Sequence, residues 1–210
     1  MREPIEFHDA LVSFAERRVI NMETKEQIRK RILAVRNAQT GQQRMEKSRQ
    51  ICDLLLKSPL YQKAEQIGAY YPLGSEVSLK PLMLQAWQDG KKILLPKVEG
   101  EDIFFYEIQD FSQLREGAFH VMEPQKGKQE PVFDALILTP GVVFDRCGAR
   151  CGYGRGFYDR FYKKHPAAVR VGVAMECQLV ECLPVEQQDV GMQYMVTEQG
   201  MSGQEEKGCS

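Results

Sequence analysis

Residues 135–161 read ALILTPGVVFDRCGARCGYGRGFYDRF, and this stretch decides both the fold and the place of its chemistry. The apolar run Ala135-Leu136-Ile137-Leu138 has the length and composition of a buried strand, placed at 134–138. A glycine-rich segment follows, and a helix is predicted over about 156–164. Gly152, Gly154 and Gly156 alternate, so the amides of Tyr153, Arg155 and Phe157 can converge on an anion in the nest arrangement. Arg150, Arg155 and Arg160 add fixed positive charge around it. A strand, then glycines, then a helix is the order of a phosphate-binding loop running into a helix N-terminus, at the carboxyl edge where open sheets bind ligands.

The same grammar extends outward. Ile67 to Tyr71 reads as a strand closed by Pro72, a helix follows from Leu79 to about Gln88, and Gly90 precedes a strand beginning Lys92-Ile93-Leu94-Leu95. This strand, helix, strand order predicts a parallel sheet. Residues 103–108 form another short strand, 111–117 a helical turn, and 121–133 a turn-rich connection. Val169 to Met175 is a near-continuous apolar strand suited to a central position, and Met192 to Thr197 is the last one. On the N-terminal side, Thr24 and Gln27 have capping-box spacing for a helix to about Ala38, with Lys25, Arg29 and Arg36 on one face. A second helix runs over roughly 43–57 and stops near Ser58-Pro59. The fold class expected is α/β: a three-layer, open, mostly parallel sheet with helices on both faces, Rossmann-like. Residues 22–198 form that single domain, and residues 199–210 a disordered tail. Residues 1–21 are an extension, either a short amphipathic helix on Phe7, Leu11 and Phe14 or a loosely held segment.

The chain has 210 residues and a net charge of -1 from 28 basic and 29 acidic side chains, which argues against nucleic acid as an obligatory partner. No 18-residue apolar run predicts a membrane span, and the acidic start is unlike a signal peptide. Six cysteines without zinc-site spacing are expected as free thiols in the cytoplasm.

Two common nucleotide motifs are excluded, because Phe157 stands where GxGxxG needs glycine and GxxxxGK[ST] has no match in this loop. Asp145, Asp159 and Asp189 are the candidate magnesium partners, since Mg²⁺ takes one or two carboxylates plus phosphate oxygens. Each also reads as a helix-capping or solvated acid. Lys25 and Arg29, one turn apart, can clamp a terminal phosphate, although such pairs also occur on solvated faces. No Ser/His/Asp grouping presents itself.

The stretch PGVVFDRCGARCGYGRGFYDRF resembles the signature of the 5-formyltetrahydrofolate cyclo-ligase family, also called methenyltetrahydrofolate synthetase. Lys25-x-x-x-Arg29 is similar to that family's basic pair, and Tyr71-Pro72 with Glu76-Val77 to its substrate-side segment. Leu95-Pro96-Lys97-Val98, Glu123-Pro124, Gln178, Leu183-Pro184 with Glu186 and Asp189, and Val196-Thr197-Glu198 also match, so the resemblance covers about residues 22–198. It implies an ATP- and Mg²⁺-dependent ligase that cyclises 5-formyltetrahydrofolate to 5,10-methenyltetrahydrofolate, releasing ADP and phosphate. The formyl oxygen is activated by phosphorylation. Carried over, Lys25, Arg150 and Arg155 act in catalysis. Lys25, Arg29, Arg150, Gly152, Tyr153, Gly154, Arg155, Gly156, Phe157, Tyr158 and Asp159 hold the nucleotide. Asp159 and Asp189 hold the metal. Tyr71, Glu76, Phe104, Tyr106 and Phe157 face a folate that can carry a polyglutamate tail. A monomer is expected, with a dimer left open.

Five positions depart from the family pattern: Cys151, Arg155, Phe157, Gln188 and Gln193. Phe157 keeps the ring and loses a hydroxyl. Gln188 and Gln193 stand where His and Asp are usual and bear on the metal side. They support the alternative of a non-catalytic phosphate-ligand module on the same fold.

Overall fold

The computed structural model describes residues 23–125, 127, 129–132 and 134–203. The expected N-terminal extension and residues 204–210 lie outside them. The first helix, α1 (Lys25–Asn37), opens on the reciprocal capping box expected, with Thr24 accepting from the Gln27 amide and Gln27 returning to the Thr24 amide. A second box, Thr40 with Gln43, opens α2 (Gly41–Lys57). Pro59 holds Ser58 extended, which ends α2. The Ser58 hydroxyl then caps a short helix the sequence reading had missed, α3 (Pro59–Lys63).

β1 (Gln66–Gly68), α4 (Lys80–Gln88) and β2 (Lys92–Glu99) form the expected parallel unit, with Ile67 opposite Ile93. β3 (Asp102–Ile108) folds back antiparallel on β2. Later in the chain come β6 (Leu136–Thr139), α5 (Phe157–Lys164), β9 (Val169–Val173), β11 (Tyr194–Thr197) and β12 (Gly200–Gly203). The seven-stranded sheet has the order β12-β11-β9-β6-β1-β2-β3, parallel from β11 to β2 and antiparallel at both edges. The sheet thus runs on into the segment expected to be disordered. Gly200–Gly203 pairs with the last expected strand, because backbone pairing on an edge needs no apolar side chains.

Alternation along the strands builds the layers. Ile93, Leu95, Leu136 and Leu138 face Ile51 and Leu55 of α2 and Leu82 and Met83 of α4. Leu94 and Ile137 face the opposite way, toward Phe161 and Tyr162 of α5. Gly68 and Gly172 lie where the sheet has no room for a side chain, and a Cβ on Gly68 would meet Ile137 and Phe105 at 2.4 and 3.0 Å.

The stretch after β6 is not a single loop. It holds β7 (Val143–Asp145) and β8 (Arg150–Cys151), which join β10 (Leu179–Val180) in a separate three-stranded sheet. Asp145 is the reason the hairpin closes. Its Oδ1 accepts from the Cys147 and Ala149 amides, both at 2.9 Å, and its Oδ2 from the Leu183 amide at 3.0 Å. Asp145 is therefore a buried structural carboxylate rather than a metal candidate. Ile28 and Ile32 of α1 pack on Val142, Val143 and Cys151 of this small sheet.

Substituting Gly68→Ala is expected to cost about 1–3 kcal/mol, the usual penalty of overpacking a filled core. Urea unfolding that gave an unchanged midpoint would show that Phe105 and Ile137 have slack the packing does not suggest.

Candidate functional site

The order of the sheet locates the site before any side chain is considered. β1 leads across α4 to β2 on one side, and β6 leads to β9 on the other. Their carboxyl ends are a switch point, where outgoing connections diverge and leave a crevice. The loops leaving these two strands line a cleft of about 820 Å³, a size typical of small-molecule sites. Residues from 70–76 form one wall, and Pro140, Gly141 and residues 150–160 the other. Lys25 and Arg29 from α1 reach in from above the small sheet.

Gly154 and Gly156 sit at φ of +87° and +66°, where side chains are strained, and Gly156 leads directly into α5. The helix starts without a side-chain cap, so its first-turn amides are free of intrahelical partners at the cleft. Arg29 ties this loop to α1 by donating from Nε to the Gly152 carbonyl at 2.8 Å and from Nη2 to the Cys151 Sγ at 3.3 Å. Arg150 is almost fully buried, with 6% of its side chain exposed, and pairs with Asp159 at 2.9 Å. Two buried polar atoms on this wall, Arg150 Nε and the Tyr158 hydroxyl, have no hydrogen-bond partner among the described residues. Buried polar groups rarely stay unpaired, so the loop wall retains hydrogen-bonding capacity that its own side chains do not use.

The acidic end of the cleft is built from two segments. Asp189 accepts from Lys25 at 2.6 Å, and Glu186 accepts from the same ammonium at 2.8 Å. Partial burial alone would lower the Lys25 pKa, but the two carboxylates outweigh it and hold the ammonium above its ordinary value. Asp159 accepts from the amide of Val190, the neighbour of Asp189, at 3.1 Å. Asp159 and Asp189 thus meet at one end of the cleft. Among the described residues no cage of three or more His, Cys, Asp or Glu exists. The donor set here fits a hard divalent ion that takes one or two carboxylates and completes its shell with phosphate and water oxygens.

The opposite wall carries Tyr71 and Glu76. Lys80 lies 4.4 Å from the centre of the Tyr71 ring, and Phe111 packs edge-on against it. Glu76 accepts from the Leu73 amide at 2.9 Å. Burial raises its carboxyl above the ordinary value, against the Leu73 amide, the Arg36 charge and the Tyr153 hydroxyl, which all pull it down.

The cleft brings together Lys25, Arg29, Tyr71, Glu76, Arg150, the run from Gly152 to Asp159, and Asp189, all expected from the sequence. Phe104 and Tyr106 are corrections, since neither lines it. β3 alternates, so Ile103 faces the cleft and Phe105 the core, while Phe104 and Tyr106 turn to the other face, where Tyr106 bonds Glu99 at 2.6 Å. Phe119 was missed. It belongs to the turn joining β4 (Leu114–Glu116) to β5 (Met122–Pro124), at φ of 57°, and Arg155 stands 4.8 Å above its ring. No periodic pattern marks that turn. Gln188 lies on the cleft, but Gln193 does not, being bonded to the Arg170 amide at 2.9 Å.

The family described as 5-formyltetrahydrofolate cyclo-ligase matches residues 21–198. A 5-formyltetrahydrofolate cyclo-ligase of Escherichia coli (strain K12) is 32% identical over 171 residues, covering 77% of this chain and 93% of that protein. One from Haemophilus influenzae is 30% identical over 179 residues, covering 81% and 96%. The NMR structure of Aquifex aeolicus 5,10-methenyltetrahydrofolate synthetase superposes with a TM-score of 0.78 at 34% identity, covering 89% of this chain and 95% of that one.

The raised carboxyl of Glu76 has a consequence for stability. Its ionised form is disfavoured by folding, so the charge costs stability above the folded pKa and nothing below the unfolded one, at about 4.3. Glu76→Gln is therefore expected to melt higher than the parent near neutral pH, and the difference should close as the pH falls through the carboxylate range. A variant that melted lower throughout would place the carboxylate in a stabilising role instead.

Proposed function

The chain belongs to the 5-formyltetrahydrofolate cyclo-ligase family, and from that membership we propose that it cyclises 5-formyltetrahydrofolate to 5,10-methenyltetrahydrofolate with MgATP, releasing ADP and phosphate. The observation that carries the reading is the single cleft that sets the glycine loop and its cations against the Tyr71–Glu76 wall. A phosphate donor and a flat heterocyclic acceptor can meet there directly. The described cysteines are free thiols, in keeping with a reducing compartment such as the cytoplasm.

The formyl oxygen is a poor leaving group, so N10 of the folate cannot expel it unaided. Attack of that oxygen on the γ-phosphorus of ATP releases ADP and leaves a phosphate ester. N10 then adds to the formyl carbon and gives up its proton to solvent, and phosphate departs with the oxygen. This sequence needs no protein nucleophile, which suits a cleft without a triad. The chain supplies alignment and charge. The amides at the start of α5 and the guanidiniums of Arg150 and Arg29 would hold phosphate oxygens. Lys25 would move from its carboxylate partners to the terminal phosphate. Glu76 would accept hydrogen bonds from the pterin, with Tyr71 and Phe157 as ring walls. Asp159 and Asp189 would hold Mg²⁺, which when bound neutralises charge on the phosphates.

Purified protein mixed with 5-formyltetrahydrofolate and MgATP should release phosphate in step with the methenyl chromophore. Ligand binding without turnover would favour the non-catalytic module, and turnover without ATP would overturn the phosphorylation step. Lys25→Ala, Arg150→Ala and Asp159→Ala are each expected to lower turnover by at least ~10²-fold, the loss on removing one preorganised electrostatic group. Arg155 is exposed, so Arg155→Gly should act more mildly and mainly on KM. Near-normal turnover in the first three variants would remove the roles assigned to them.

A further inference from the structure

Arg36, near the C-terminal end of α1, has 2% of its surface exposed and is the bulkiest fully buried side chain among the described residues. Its guanidinium reaches three segments at once. Nε donates to the Ser75 hydroxyl at 2.9 Å, Nη1 to the Gly141 carbonyl at 3.3 Å and Nη2 to the Tyr153 hydroxyl at 2.9 Å. Ser75 belongs to the loop after β1, Gly141 follows β6, and Tyr153 lies in the glycine loop. These are the segments that form the two walls of the cleft. All three acceptors are neutral, an expensive way to bury a permanent cation if packing were its only purpose. The Tyr153 hydroxyl and the Arg36 charge both act on the Glu76 carboxyl and pull it down against the effect of burial.

We propose that Arg36 is a positioning residue for the folate side of the cleft. Through the Tyr153 hydroxyl it orients the Glu76 carboxylate, and through Ser75 and Gly141 it fixes the distance from that carboxylate to the glycine loop. The proposal rests on the cyclo-ligase reading and adds a link between its two substrates. It also explains why a tyrosine whose ring is half exposed sits within a phosphate loop: its hydroxyl points inward, to the arginine. The charged and titratable groups around Glu76 are Arg36 from α1, Tyr153 from the glycine loop, Tyr70 after β1 and Tyr158 of α5. Burial pushes all three phenols up, so they stay neutral where Glu76 titrates.

The test uses Tyr153→Phe, which removes only the hydroxyl, and Arg36→Lys, which keeps the charge but loses the fork. Both should raise KM for 5-formyltetrahydrofolate about tenfold, the effect of losing one hydrogen bond to a charged group, with much smaller changes in KM for ATP. The acid limb of kcat/KM should move to higher pH in Tyr153→Phe, because a group that pulls the Glu76 pKa down has gone. The double variant should be no worse than Arg36→Lys alone, since the guanidinium acts on Glu76 through that hydroxyl. Additive losses, an unmoved acid limb, or a lower melting temperature with unchanged kinetics would overturn the proposal. Should Arg36→Lys not fold, Tyr153→Phe carries the test alone. Calorimetric binding of 5-formyltetrahydrofolate over the same pH range reads the shift without turnover. A parent protein that binds the folate and shows the shift but does not cyclise defeats the reaction and leaves Arg36 in its role. One that cyclises while KM and acid limb stay fixed in the variants defeats only the role of Arg36, and one that neither binds nor cyclises defeats both.

Discussion

Two adjacent parallel strands whose chains depart in opposite directions govern this molecule. β1 and β6 pair side by side, yet one connection crosses toward β2 and the other toward β9. Neither can cover the ends they share, and the sheet is left with a crevice there. The loops free to line it are those leaving β1 and β6, and they carry Glu76 and the glycine run. The small sheet inserted after β6 adds a platform for α1. Ile28 and Ile32 dock on it one turn apart, and the same helical spacing turns Lys25 and Arg29 to the open side. The cation pair is thus delivered to the crevice by the packing of its neighbours.

Charge in the cleft is arranged in advance of any ligand. Arg150 with Asp159, and Lys25 with Asp189 and Glu186, are partnered pairs at 2.6 to 2.9 Å. Burying such pairs contributes little to stability, because desolvation offsets most of the attraction. Their effect is to hold the guanidinium and ammonium in fixed positions at the cleft, so that a group binding there meets charges that need little reorganisation. Arg150 illustrates the point further. Its guanidinium lies 5.4 Å from the centre of the Tyr158 ring, and its Nε still has capacity for an acceptor. Arginine suits this role better than lysine, since its planar fork can keep Asp159 and take a second partner at once.

Much of this was legible in the sequence where physics is local. The Thr24–Gln27 box, the break at Gly90 and the apolar run before Thr139 each act within a few residues, and the elements they imply are present. The signature of the glycine loop was readable because positive φ at Gly154 and Gly156 is a local demand. What escaped depends on partners distant in the chain. β7 is three residues long and stands only because Leu179–Val180 and Arg150–Cys151 flank it. Gly200–Gly203 has no apolar pattern and is ordered by an edge already present. Phe104 and Tyr106 were misassigned because composition shows that a strand is aromatic but does not show which of its faces meets the cleft. Arg36 looked like one more cation on a basic helix face until the loops around it closed.

The departures from the family pattern weigh differently once placed. The Gln193 side chain accepts from the Arg170 amide at 2.9 Å and its own amide returns to the Arg170 carbonyl at 3.0 Å, so it extends the ladder between β9 and β11. It has no part in the cleft wall. Gln188 does, and its amide donates to Glu186, the second anionic partner of Lys25. A glutamine there engages one carboxylate oxygen while the other holds the ammonium, which leaves the Lys25 contact in place. Phe157 keeps the ring that closes the wall, with the Arg160 guanidinium 5.3 Å from its centre and Phe119 at 6.1 Å. Contacts to its face and edge are what hold that ring, and a lost phenol oxygen removes none of them. The substitutions that favoured a binding module thus leave the glycine loop, the cations and both candidate metal carboxylates in position.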